Sequence, residues 1–350
     1  MYGGWVCLSY MFADFYHEIS ALYLVVLLKM LLMFAVSAYL LRSVQQLWLL
    51  LIMAAFCLAY IGYEVNFQYL KVRKISILHS GYSGLDNNGA AMMLAMGVPL
   101  CLFVWEGTRR WWRWLFAAAI PSLIHAVLLT YSRGAMVTLV LTAPLFYLRS
   151  QHKKQMTLAF VAVGLMLPIM AGNEIRERFF SIQKYEEDDS AQSRFRSWQA
   201  GWEMALDHPL FGVGFRNSPV YMYRYGSEQD RTIHNLYIQI AADSGIVGMG
   251  IYVFALWSVW VGLVRARRVI RQHPGADTQH LKALVNGVEC SMGVFCVGSL
   301  FLSLEVFELS YFLLLIGAQF PLLLEGHFQR EPFIEAPAHE LSYPEPTAVR

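Results

Sequence analysis

The chain has 350 residues, 57% hydrophobic and 15% charged, with a net charge of +2. That is too little polar surface for a soluble globule, and the apolar runs recur at membrane-spanning length. The near-zero charge gives no support to a nucleic-acid partner. Five cysteines, all but Cys7 inside apolar runs, leave no disulfide framework or zinc-ligand spacing.

The expected fold class is all-α: a polytopic helical membrane protein with nine spans and one long external loop carrying an amphipathic helix. The spans read as 21 to 41, 47 to 63, 88 to 105, 114 to 130, 134 to 148, 156 to 172, 236 to 264, 283 to 303 and 306 to 324. This divides the chain into N-terminal spans (1–172), an external loop (173–235), C-terminal spans (236–324) and a tail (325–350). Short loops on one side carry twelve Lys and Arg, from Arg42 to Lys282, against four on the other, namely Lys71, Arg73, Lys74 and Arg133. The positive-inside rule puts the richer set in the cytoplasm and the 173–235 loop outside. Residues 1–20 lack the basic start of a cleavable signal peptide. Their aromatics, with Asp14, His17 and Glu18, suit the end of a preceding span, so further helices are expected upstream of Met1.

Lys29 lies inside the first span, where a charge costs about 2.5 to 3.5 kcal/mol unless it faces the protein or snorkels, and an interior-facing position is expected. After the second span, Asp86, Asn87 and Asn88 stand where they can cap the third or meet substrate. In the turn Tyr131-Ser132-Arg133-Gly134 the arginine cannot lose its charge, so it either snorkels to lipid phosphates or faces inward to hold a diphosphate.

The external loop concentrates Arg194, Arg196, Arg216, Arg224, Arg231 and His234 just before the chain re-enters the membrane. Its ten acidic and eight basic residues would also suit an ordinary solvated loop. From Ser193, the apolar positions Phe195, Trp198, Trp202 and Ala205/Leu206 predict an amphipathic helix against the bilayer or under the loop, capped by Ser190 or Ser193. Arg194 and Arg196 would then sit in its first turn, beside free backbone N–H groups that suit an anion. Phe211-Gly212-Val213-Gly214-Phe215 lacks a phosphate-loop pattern and reads as a tight turn aiming Arg216. His234 precedes the seventh span, as a cap or as a functional group. Glu289, Glu305 and Glu308 are the acids in or near the last two spans, with Lys29 or His125 as conceivable partners for Glu289.

Taken together and in order, LDNNGAAMMLAMGVPL, the TYSRG turn, YEEDDSAQSRFRSWQAGWEMALDHPLFGVGF and HNLYIQIAADSGIVG resemble the O-antigen ligase and polymerase superfamily. Within it they are similar to the O-glycosylation ligases found beside exosortase systems. The likeness covers residues 24 to 262. It implies that Arg133 and Arg194, with Arg196 nearby, grip a donor diphosphate, and that His234 is the catalytic or diphosphate-contacting histidine. Asn235, Asp243 and Asn88 are candidate supports. Asp243 stands where close relatives often carry Glu.

The implied activity is transfer of a glycan from a polyprenyl-diphosphate donor to an acceptor hydroxyl at the external face of a bacterial inner membrane, with membrane lipids around it and a lipid, glycan or protein as acceptor. The resemblance implies no metal and no cofactor, although the EEDD run at 186–189 is an acidic cluster. The alternatives are an O-antigen polymerase, or a transporter or flippase for lipid-linked glycans. The absence of an inverted repeat weakens the transporter reading.

Overall fold

In the computed structural model, residues 1–13, 18–72, 76–158, 161, 189–228, 230–273 and 278–330 are described. They form helices α1 (Tyr2–Met11), α2 (Glu18–Leu40), α3 (Val44–Val72), α4 (Ser76–Ser80), α5 (Asn87–Gly107), α6 (Arg113–Leu129), α7 (Arg133–Arg149), α8 (Asp189–Asp207), α9 (Ser218–Tyr221), α10 (Leu236–Arg271), α11 (Gln279–Gly298) and α12 (Glu308–Arg330). Among the described residues there is no strand.

Six helices, α2, α3, α5, α10, α11 and α12, are long and apolar enough to cross a membrane. The count of nine expected spans is not confirmed among the described residues: α6 and α7, at the expected fourth and fifth spans, have 17 residues each, and most of the expected sixth span lies outside the described residues. α5 and α11 pack together at the centre, buried along most of their length, with α3, α6, α7 and α12 around them. Small residues permit this approach: Gly287 lies against Phe103, and Gly298 against Met92. α2 is largely exposed, Lys29 included. The interior position expected for that lysine is therefore corrected, because α2 turns only Ser20 and Leu27 fully into the protein.

The 36-residue α10 is two helices joined at Gly245, whose φ of 78° and ψ of 167° break the regular backbone. A break leaves carbonyls without helical partners, and buried carbonyls must find others. The Ala242 carbonyl accepts from Val213 N at 2.9 Å, that of Asp243 from Ser9 Oγ at 2.8 Å, and that of Ser244 from Trp5 Nε1 at 2.9 Å. Gly212 packs its backbone onto this break, where a Cβ would come within 2.4 Å of the Asp243 carbonyl carbon. The FGVGF turn is thus tight, as expected. It sends Arg216 over the Tyr23 ring at 4.2 Å and beside Asp243 and the buried Glu305.

Candidate active site

Four helix ends meet at one end of the bundle: the starts of α5, α7 and α10 and the finish of α11. At α5, Asp86 Oδ1 accepts from Gly89 N at 2.8 Å and caps the helix. Its neighbours hold the turn that leads into α7. Asn87 Nδ2 donates to the Thr130 carbonyl at 3.1 Å, and Ser132 Oγ donates to Asn88 Oδ1 at 2.8 Å. The turn needs such support because Tyr131 has a φ of 55°. Arg133, half-buried, follows as the first residue of α7.

At α10, Asn235 Oδ1 accepts from Tyr237 N at 3.1 Å and from Ile238 N at 3.2 Å, and the Leu236 N–H donates to the Ser299 carbonyl at 2.8 Å at the finish of α11. Asn235 is therefore the cap. His234 precedes it with a φ of 54°, a left-handed conformation that a non-glycine residue adopts at some cost. Its Nε2 lies 2.9 Å from Thr232 Oγ1.

α8 supplies the next wall. Its Ala200, Gly201 and Met204 are buried against Ile233, Ile238, Val213 and Met222, and a Cβ at Gly201 would approach Ile233 to 2.7 Å. Of the expected apolar face, Ala205 is buried and Trp198 packs against this cluster, while Phe195, Trp202 and Leu206 are 47%, 43% and 56% exposed.

α8 is described from Asp189, which places Arg194 and Arg196 in its second turn. Two residues on a helix are about 200° apart. Arg194 accordingly turns toward His234, whereas Arg196 is exposed. Arg231 crosses from the loop to α8, donating to Ser193 Oγ and pairing with Glu228.

These surroundings act on the imidazole. Burial is the main cause of a His234 pKa below the usual value, Arg194 and Arg231 lower it further, and Asp86 opposes them. The result is a histidine held neutral beside cations, able to accept a proton while the arginines attract an anion.

The structure therefore sets Arg194 near His234, and Asn88, beside the Asp86 cap that acts on that histidine, holds the turn from which Arg133 starts α7. It leaves Arg196 and Asp243 elsewhere. Asp243, buried two turns along α10, accepts from Ser218 N at 2.7 Å and holds the 209–218 loop. Thr232 is the neighbour that sequence reasoning missed, although it lies two residues before His234, whereas Asp86 and Arg231 had been named only as a cap or substrate contact and as part of the cation cluster. Of the EEDD run, 186–188 lie outside the described residues.

This fold and site define a polytopic, helical membrane protein with a histidine and basic side chains gathered at one end. Residues 122–253, from α6 into α10, match the family model described as O-antigen ligase, which supports the O-antigen ligase and polymerase superfamily that the motifs resemble. No curated protein matches the chain.

Proposed function

We propose that the protein is a glycosyltransferase that moves a glycan from a polyprenyl-diphosphate donor to an acceptor hydroxyl at the external face of the bacterial inner membrane. The observation that carries this reading is the match of residues 122–253 to the O-antigen ligase family model, and half-buried His234 with Arg194 near it supports the assignment of roles. His234 takes the proton of the acceptor hydroxyl as its oxygen attacks the anomeric carbon, and the bond from that carbon to the diphosphate oxygen breaks. Arg194 and Arg133 take up the charge on the departing polyprenyl diphosphate. Outside the cytoplasm there is no ATP, so the donor must arrive activated, and a diphosphate ester is. A neutral imidazole is the form that can act as base, and burial beside cations favours it. Asn88 and Asn235 act as supports, one at the turn before Arg133 and the other as the cap after His234.

The arginines should be needed for shape as well as charge. Arg194→Lys and Arg133→Lys keep the charge but lose the fork that matches two phosphate oxygens, so both should lose most transfer on membranes supplied with a polyprenyl-diphosphate glycan. Arg196→Lys, on the far face of α8, should transfer normally. Full activity of Arg194→Lys with loss in Arg196→Lys would refute the assignment.

A further inference from the structure

A second cationic site lies at the other end of the same helices. α7 runs 17 residues from Arg133 to Arg149, about 25 Å at 1.5 Å per residue. There Arg149 and Arg267 converge on Glu289, a carboxylate with no exposure. Arg149 grips it with two parallel bonds, Nε to Oε2 at 2.8 Å and an Nη to Oε1 at 2.7 Å, and Arg267 pairs with it while donating to Asn286 Oδ1 at 3.0 Å. The Asn286 amide in turn donates to the Arg149 carbonyl at 3.0 Å.

Both guanidiniums, together with Arg271 and Lys282, line a pocket of about 170 Å³. Arg271 and Lys282 are exposed and make no ion pair among the described residues. Four cations thus line one pocket, and two of them are tied to Glu289 behind it. Glu289 holds two of the four in fixed orientation, and each guanidinium has five N–H donors, more than Glu289 and Asn286 consume. The site is preorganised for an anion with several oxygens.

We propose that this pocket binds a phosphate-bearing anion, supplied as the headgroup of an anionic phospholipid. The pocket sits at the face that the charge count assigns to the cytoplasm, where lipid phosphates meet basic side chains. A separate cavity of about 340 Å³ lies between α10 and α12, lined by Gly262, Ala266 and Gly317 and also by Arg265 and Glu325. The inference is independent of the transfer reaction, because no residue is shared with the His234 site.

The test uses the whole protein in phosphatidylcholine nanodiscs containing a minority of phosphatidylglycerol, with retained lipids counted by native mass spectrometry. Wild type should enrich phosphatidylglycerol, and Arg271→Gln with Lys282→Gln should cut that preference roughly ten- to thirtyfold. Both positions are exposed, so folding should survive. Arg42→Gln with Arg110→Gln, also exposed and on the same face but outside the pocket, should leave it unchanged. In a second arm, millimolar inorganic phosphate is added to detergent-solubilised protein. Binding of phosphate there without lipid enrichment would keep the phosphate chemistry and make the source a free anion. An equal fall in the control pair, or neither lipid enrichment nor phosphate binding in wild type, would overturn the proposal.

Discussion

At the end of the bundle holding Glu289, Arg149 and Arg267 are tied to a carboxylate with no exposure. At the end holding His234, the carboxylate that acts on the histidine, Asp86, is exposed and already occupied as a helix cap. One end spends buried negative charge to fix its arginines between α7, α10 and α11. The other leaves its positive charge to be felt by a half-buried imidazole, whose pKa falls. The lesson is that the count of arginines is similar at the two ends, and the placement of carboxylates decides whether the cations hold helices together or wait for an anion.

Removing Glu289 should have the largest structural effect. Glu289→Gln leaves two partly buried like charges without their partner, and breaking a buried ion pair typically costs about 3 to 5 kcal/mol. Thermal unfolding in detergent should drop accordingly, and Arg267→Met added to Glu289→Gln should recover part of the loss. Additive losses in the double variant would mean that the pair is not coupled. A smaller effect is expected at the opposite end. Asn235→Ala removes the two bonds that cap α10 and should cost about 1 kcal/mol, read as a modest fall in melting temperature. A silent Asn235→Ala would return the capping role to His234 and blur the contrast between the two ends.

Much of this was legible in the sequence, and the rest has identifiable reasons. Apolar run length located the spanning helices, and the Asp86 cap was readable because the N-cap and its N–H partner are three residues apart. The partners of Glu289 were not. Arg149 lies 140 residues away and Arg267 22, and only tertiary packing chooses between them and Lys29 or His125. The break at Gly245 follows Asp243 and Ser244 within a run of spanning length, and that polar pair with Gly245 and the facing Gly212 was its trace, which apolar periodicity alone does not register. The different exposures of Arg194 and Arg196 were not read from the sequence, because they depend on which face of α8 packs against the loop.

The central claim is that His234 works as a neutral base in a cationic pocket. The most direct test is the pH dependence of transfer on membranes with a polyprenyl-diphosphate donor, for wild type and His234→Asn in parallel. Because burial and Arg194 lower the His234 pKa, the neutral form persists into acid. The wild-type rate should hold through about pH 6.5, the midpoint of an unperturbed imidazole, and fall only at lower pH. His234→Asn should insert and bind donor yet transfer about 10² to 10⁴ times more slowly, with no such acid limb. Near-normal turnover in His234→Asn, or a wild-type profile that the substitution leaves unchanged in shape, would contradict the account.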